Sequence, residues 1–88
     1  MNYLIDKSFE RDVKKIKDKS IKRKLATVIE KVEKAKRIYD IDNCKKLRKG
    51  KNAYRIKIGN YRAGFFYENK TVIFIRFLNR KDIYREFP

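Results

Sequence analysis

The spacing of apolar residues divides the chain into a helical first half and a strand-rich second half. Residues 2–6 form a short predicted strand in which Leu4 faces away from Tyr3 and Ile5. Apolar residues three and four positions apart predict an amphipathic helix over residues 9–17, with Ser8 as its N-cap. A second helix, with Ser20 as its N-cap, carries one apolar face formed by Ile21, Leu25, Val28, Ile29, Val32 and Ala35.

After these helices the apolar spacing changes from three or four residues to two. Residues 38–51 show no period and predict a connector, with Leu47 as its anchor in the core. Alternating aromatic and β-branched residues then predict strands over residues 53–58, 61–68 and 71–79, joined by short turns at Gly59-Asn60 and Asn69-Lys70. We therefore expect residues 1–88 to form one α+β domain, in which an N-terminal strand and a two-helix hairpin precede a three-stranded antiparallel meander. Both helices would pack on one face of a four-stranded sheet and leave the other face open.

A two-residue loop at Gly59-Asn60 fixes which residues of the first hairpin share a face. Lys57 then lies opposite Arg62, and Arg55 lies opposite Gly64. One face of the hairpin is apolar and is formed by Tyr54, Ile56, Ile58, Tyr61, Ala63 and Phe65. The opposite face carries three cations, Arg55, Lys57 and Arg62.

The register of the third meander strand stays open. A two-residue turn at Asn69-Lys70 places on the basic face the residues Thr71, Ile73, Ile75, Phe77 and Asn79. A three-residue loop places there instead Val72, Phe74, Arg76, Leu78 and Arg80.

The charge of the chain gives this basic face more weight. The 88 residues contain 26 Lys+Arg and 11 Asp+Glu, a net charge of +15. Residues 1–44 carry 13 basic and 8 acidic groups, whereas residues 45–88 carry 13 basic and 3 acidic groups, a net +10. Six of the nine arginines lie in the second half, and arginine is the side chain that matches phosphate oxygens best. We therefore expect an anionic partner on this half of the chain.

The absence of histidine restricts the chemistry. With no His and a single Cys, the chain cannot form a Cys/His zinc site or a histidine-based catalytic triad, and we expect neither a metal nor a cofactor. Cys44 is expected to be an unreactive side chain in a polar connector. The apolar start of the chain is interrupted by Asp6 and predicts no signal peptide, so we expect a cytoplasmic protein with no membrane partner.

Two interpretations of the basic face follow. It is either a solvated surface that keeps the protein soluble, or a phosphate-binding cleft with Arg55, Lys57 and Arg62 as its floor and Arg80 at its rim. Tyr84 would stack on a base in such a cleft. Arg48 and Arg76 are predicted as further substrate contacts.

Cleavage of RNA is compatible with this residue set because RNA supplies its own nucleophile, the 2′-OH. An enzyme needs to align that group, remove its proton and stabilise the charge that develops on the phosphate. Neighbouring cations disfavour the protonated form of a lysine, which makes Lys57 a candidate general base. Arg80 is expected to stabilise charge in the first place, because arginine gives up its proton with difficulty.

Three runs of residues resemble the RelE/ParE superfamily of type II toxin–antitoxin toxins. They are Leu47-Arg48-Lys49-Gly50, Tyr54-Arg55-Ile56-Lys57-Ile58-Gly59-Asn60-Tyr61-Arg62 and Arg80-Lys81-Asp82-Ile83-Tyr84. The resemblance implies a RelE-like α+β fold and an antitoxin partner encoded beside the toxin. For the RelE branch it also implies cleavage of mRNA in the ribosomal A site.

The same resemblance assigns roles by position. It implies that Lys57 is a general base, that Arg62 stabilises the phosphate, that Arg80 is the proposed acid and that Tyr84 orients or stacks on the substrate. Arg55 stands where the best-known RelE has a second lysine. Asn79 departs from the many relatives that have histidine before the arginine.

The leading hypothesis is thus a ribosome-dependent endoribonuclease toxin with an acidic antitoxin, and with mRNA and the ribosome as its other partners. The alternatives are a ParE-like toxin that inhibits DNA gyrase by binding, without nuclease chemistry, and an inactive basic nucleic-acid-binding module.

Overall fold

The computed structural model describes residues 1–88. Strand β1 (Asn2–Ile5) is followed by helices α1 (Lys7–Lys14) and α2 (Lys19–Lys34), a single 3-10 turn (Ile38–Asp40) and strand β2 (Cys44–Lys46). The remaining elements are strands β3 (Ala53–Ile58), β4 (Tyr61–Glu68) and β5 (Thr71–Asn79) and helix α3 (Arg80–Glu86). None of the helices combines the length and the apolar character that crossing a bilayer requires.

The strands form one mixed sheet in the order β1-β5-β4-β3-β2. β1 is parallel to β5, and all other neighbours are antiparallel. The predicted α+β order is confirmed, and the three meander strands have the predicted bounds. The sheet has five strands instead of four, because β2 lies inside the predicted connector. The three residues of β2 are too few to show a period of two, so this strand is defined by its pairing with β3. Just before β2, the Asn43 carbonyl accepts a hydrogen bond from the Lys57 N–H of β3 at 3.0 Å.

Both long helices begin at aspartate caps. The Asp6 carboxylate accepts a hydrogen bond from the Ser8 N–H at 3.1 Å, and Asp18 accepts one from the Ser20 N–H at 2.8 Å. The predicted serine caps are each wrong by two residues, because the preceding aspartate reaches the free N–H groups of the first turn. Hydrogen bonds from Ser8 also lower the pKa of Asp6. α1 ends at Lys14 rather than at the predicted residue 17.

The main core lies between α1, α2 and one face of the sheet. The hairpin register is the predicted one, with Ile58 opposite Tyr61 and Tyr54 opposite Phe65. The predicted apolar face is therefore confirmed, and its buried members pack against Phe9, Leu25 and Val32 of the helices. Those members are Ile56, Ile58, Ala63 and Phe65, with Tyr54 and Tyr61 half-buried beside them.

A β-bulge in β5 reconciles the two registers that the sequence left open. Glu68 pairs with Thr71 and Phe66 with Ile73, as a two-residue turn requires. Beyond an irregularity at Gly64/Phe65 the register shifts, and Gly64 pairs with Arg76. Each predicted register is thus correct for one half of β5. Arg76 and Leu78 lie on the basic face of the sheet, while Phe74 and Phe77 are both buried in the main core.

The sequence predicts that the second face of the sheet is open. In the structure α3 covers part of this face, so that prediction is only partly correct. Ile83 and Phe87 form a smaller apolar cluster with Leu47 and Ala53, which confirms Leu47 as a core anchor. A Cβ on Gly64 would lie 2.6 Å from the Phe87 ring, so the missing side chain at Gly64 makes room for Phe87. What remains open is the part of this face nearer the Gly59-Asn60 turn.

Candidate active site

The β3–β4 hairpin carries the centre of the site. Lys57 lies directly opposite Arg62, and Arg55 lies opposite Gly64, as the sequence predicts. Like charges on directly opposed residues destabilise a sheet. The sequence therefore maintains a locally unfavourable arrangement at the open part of the face.

Arg62 is held against the turn of its own hairpin. Its Nη1 group donates to the Gly59 carbonyl at 3.0 Å and to the Tyr61 carbonyl at 2.9 Å. A guanidinium has five N–H donors, so the remaining three are available to an incoming anion. These two bonds orient Arg62 without neutralising it.

Helix α3 brings Arg80 and Tyr84 to the same region. The Arg80 N–H donates to the Asn60 carbonyl at 2.8 Å, which fixes the start of α3 at the hairpin turn. The Asn79 side chain caps α3 by accepting from the Lys81 N–H at 2.8 Å. Because Arg80 and Tyr84 are four residues apart, they share one side of the helix. Asn79, where the resemblance implies histidine in many relatives, thus has a structural role in starting the helix.

Tyr84 contacts the cation of the neighbouring strand. The Arg55 guanidinium carbon lies 4.5 Å from the centre of the Tyr84 ring, a cation–π geometry. Tyr84 is 57% exposed, so the rest of its ring is accessible for stacking. Arg55, Lys57, Arg62 and Arg80 together are called the cationic cluster below.

The members of the cationic cluster have no carboxylate partner. The structure contains six ion pairs, and none of them involves Arg55, Lys57, Arg62 or Arg80. All three carboxylates of the second half lie outside the cluster, because Glu86 pairs with Arg76, Asp82 pairs with Arg85, and Glu68 is exposed at the far end of β4. The charge of the cluster is therefore available to a ligand.

Arg76 has a different environment, which does not favour its predicted contact with substrate. Its Nε donates to Asp12 at 2.8 Å, and Glu86 lies 3.7 Å away on the other side. The hydrogen bond that Arg76 donates to the Asp12 carboxylate raises the pKa of Arg76. Asp12 is only 6% exposed and also accepts the Phe77 N–H at 2.9 Å. Arg76 therefore links α1, β5 and α3, and its contacts are structural.

Arg48 lies apart from the cationic cluster. It is exposed in the loop between β2 and β3, which packs near Pro88 through Gly50. This loop is at the opposite end of β3 from the Gly59-Asn60 turn. The contact of Arg48 with substrate stays a prediction, and it would involve a more distant part of a long ligand.

Sequence reasoning missed two residues. Lys45 of β2 pairs with Arg55 and adds an exposed cation to the same face, but a three-residue strand gives no periodic signal. Asp12 is the other residue, and it lies on the buried side of α1. Its position three residues after Phe9 and four before Ile16, on the apolar stripe, is the signal that could have identified it.

A separate groove of about 960 Å³ lies between the end of α2 and the main-core side of β2–β4. Ile38, Tyr39 and Tyr54 form part of its apolar lining, and its rim has four cations, Lys36, Arg37, Lys46 and Lys70. Tyr39 is 90% exposed. Cys44 is half-buried in this groove, and burial raises the pKa of its thiol to about 11.

Comparison with known proteins gives consistent matches over nearly the full length. A family model described as the ParE toxin of the type II toxin–antitoxin system parDE matches residues 3–84. The chain is 36% identical over 89 residues to Toxin RelE3 of Methanocaldococcus jannaschii, with both chains fully covered.

Solved structures show the same fold. The RelB–RelE antitoxin–toxin complex from Methanococcus jannaschii contains a chain that matches with a TM-score of 0.81 at 34% identity, covering 97% of this chain and 99% of that one. The RelBE2 complex of Mycobacterium tuberculosis matches with a TM-score of 0.62 at 22% identity, covering 90% and 96%, which supports the fold alone. Sequence and fold together show that this chain belongs to the RelE/ParE superfamily and is a toxin of the type II toxin–antitoxin class.

Proposed function

We propose that the protein is a ribosome-dependent endoribonuclease that cleaves mRNA through attack by the substrate's own 2′-OH. The observation that carries this proposal is the position of Lys57, Arg62 and Arg80. They lie around one hairpin turn without a carboxylate partner, next to an exposed Tyr84. A phosphodiester at this turn would meet cations from β3, β4 and α3.

In the proposed reaction the 2′-oxygen attacks the adjacent phosphorus and the bond to the 5′-oxygen breaks. The products are a 2′,3′-cyclic phosphate and a 5′-hydroxyl. Lys57 accepts the proton of the 2′-OH, and the leaving 5′-oxygen takes up a proton from Arg80 or from water. Arg62 and Arg80 stabilise the charge on the phosphorane oxygens. No metal is needed for this step, because the charges are supplied by side chains.

The test is cleavage of a defined mRNA by the purified protein on programmed ribosomes, followed by primer extension. Arg62→Ala and Arg80→Ala should each lower the cleavage rate about 10²–10³-fold, the usual cost of removing one preorganised donor to a developing anion. Arg85→Ala is the matched control on α3, because Arg85 is exposed and pairs with Asp82 at 2.7 Å outside the cluster. Intact mRNA with the wild-type protein, or equal rates for Arg80→Ala and Arg85→Ala, would contradict the proposal.

A second candidate function is inhibition of DNA gyrase by binding. It is favoured by the match of residues 3–84 to a family model described as ParE toxin. A supercoiling assay with purified gyrase separates the two functions. Loss of supercoiling with intact mRNA would establish the second candidate in place of the first.

We also propose a cognate acidic antitoxin as the partner of this chain, since a similar toxin is known in complex with RelB. The groove beside Tyr39 suits a segment with apolar side chains at its centre and carboxylates at its edges, because its rim is cationic. Affinity should therefore fall as salt rises. Tyr39→Ala should weaken the complex, and Lys15→Ala, an exposed change on another surface, should not.

A further inference from the structure

The first half of α2 carries a second group of cations outside the cationic cluster. Lys19, Lys22, Arg23 and Lys24 are all exposed, and none takes part in an ion pair. The carboxylates of this helix, Glu30 and Glu33, lie in its second half, where Glu30 pairs with Lys34 at 3.2 Å. The two halves of α2 therefore differ in charge, although both are solvent-exposed on this side.

Helix stability does not explain the position of these cations. The N-terminal turn of a helix favours negative side chains, because its free N–H groups carry partial positive charge. The first turn of α2 has no acidic residue and contains Lys19 and Lys22. The Asp18 carboxylate caps this end of the helix, but it forms no ion pair with Lys19 or Lys22, so both cations stay available to a ligand.

A groove connects this half of α2 to the end of β3. It has a volume of about 380 Å³ and is lined by residues that include Arg23, Lys24, Thr27, Asn43 and Lys57. None of its lining residues is acidic. Lys57 belongs both to this groove and to the cationic cluster.

The hairpin turn joins the two cationic surfaces. On one side, the Gly59 carbonyl accepts a hydrogen bond from Arg62 at 3.0 Å. On the other side, α2 packs so closely that a Cβ on Gly59 would lie 3.2 Å from the Ile21 side chain. The cations of α2 and of the active site are therefore separated only by this turn and by Lys57.

We infer that Arg23 and Lys24 form a second phosphate-binding site, in the groove next to Lys57, that takes the RNA backbone beside the reacting phosphodiester. This inference rests on the proposed function. Two adjacent sites on either side of Lys57 would hold successive phosphates of one strand, or a phosphate of the ribosomal RNA beside the substrate. Arg23 and Lys24 would contact the phosphate backbone and not the base edges, so the site binds any sequence.

Binding of a labelled 2′-O-methyl RNA 12-mer, which lacks the nucleophile, tests the site separately from cleavage. Affinity is measured by fluorescence anisotropy from 0.05 to 0.5 M salt. Affinity falls as salt rises, and each phosphate contact on a single strand adds about 0.7 to the steepness of log K against log salt. R23Q/K24Q should therefore make this dependence shallower by about 1.4. If wild type and variant bind equally at 1 M salt, this difference in slope corresponds to about 25-fold weaker binding of the variant at 0.1 M.

K31Q/K34Q is the matched control, because it removes the same charge from the exposed second half of the same helix. Thermal unfolding followed by circular dichroism checks that both variants are folded. Equal slopes for R23Q/K24Q and K31Q/K34Q would overturn the site. So would loss of affinity for the acidic antitoxin with unchanged RNA binding, since that would make the groove a protein-binding site.

Ribosome binding identifies the source of the phosphate. If R23Q/K24Q weakens binding to ribosomes without mRNA, the site takes ribosomal RNA; if it raises only the KM for mRNA cleavage, the site takes the substrate strand. Either result supports the site. The proposed nuclease function fails independently, through intact mRNA with the wild-type protein, and such a result would leave the RNA-binding measurement interpretable.

Discussion

Replacing Asp12 with alanine should be strongly destabilising, although Asp12 lies outside the proposed active site. Its carboxylate accepts from Arg76 Nε at 2.8 Å, from Arg76 Nη2 at 3.2 Å and from the Phe77 N–H at 2.9 Å. These three bonds join α1 to β5 directly after the β-bulge. Asp12→Ala removes all of them at once.

Two contributions set the loss in the free energy of unfolding that Asp12→Ala should cause. The Phe77 N–H becomes a buried donor without a partner, which costs about 1–3 kcal/mol. Breaking a fully buried ion pair costs about 3–5 kcal/mol, but Arg76 stays 27% exposed and keeps Glu86 at 3.7 Å, so its share is smaller. We expect a loss of about 3 kcal/mol in the free energy of unfolding, or about 12–24 °C in Tm for a domain of this size.

Urea denaturation followed by circular dichroism measures this loss. Asp82→Ala is the control, because it breaks the Asp82–Arg85 ion pair at 2.7 Å, in which both side chains are well exposed. That change should cost no more than about 1 kcal/mol. If Asp12→Ala lost less than about 1 kcal/mol, the carboxylate would not be the anchor that its hydrogen bonds indicate.

Three further predictions concern the neighbourhood of α3 and the single thiol. Gly64→Ala should cost about 1–3 kcal/mol by overpacking against Phe87, and a double-mutant cycle with Phe87→Ala should show that most of this cost disappears without the ring. Tyr84→Ala should weaken binding of the 2′-O-methyl RNA by about 1–3 kcal/mol while Tyr84→Phe retains it, measured by anisotropy; equal losses would exclude stacking. Because burial raises the pKa of Cys44 from 9.0 to about 11, its thiolate fraction at pH 8 should be about 100-fold lower in the folded protein. Iodoacetamide labelling should therefore be slow at pH 8, rise as pH approaches 11, and be fast in urea at either pH; rapid labelling of the folded protein at pH 8 would contradict the burial.

The parts of the fold that sequence predicts correctly are those in which local pattern and turn chemistry agree. The β3–β4 hairpin follows from alternation and from a two-residue turn in which Gly59 has φ of +59°. β2 and the bulge in β5 leave no such trace, because both depend on pairing with distant strands. Helix α3 has only seven residues and is marginal by itself, so it depends on the packing of Ile83 and Phe87 on the sheet.

The candidate site was predictable to a similar extent. Sequence identified Arg55, Lys57 and Arg62 as one surface because strand parity determines which residues share a face. It could not distinguish Arg76 from them, since the partner of Arg76 is 64 residues away in the chain. Only the folded structure shows which of the arginines already have a carboxylate partner.

The distribution of carboxylates therefore tells more about function than the net charge does. The second half of the chain has 13 basic and 3 acidic groups, and a uniform spread of the acids would leave a weakly basic surface everywhere. Instead, Glu86 and Asp82 pair with Arg76 and Arg85 on the side of α3 away from Arg80 and Tyr84. The same separation recurs on α2, where the acids are confined to the half distant from the Gly59 turn. Since both separations leave unpaired cations around one turn, the arrangement supports the proposal that the ligand of this surface carries several phosphates.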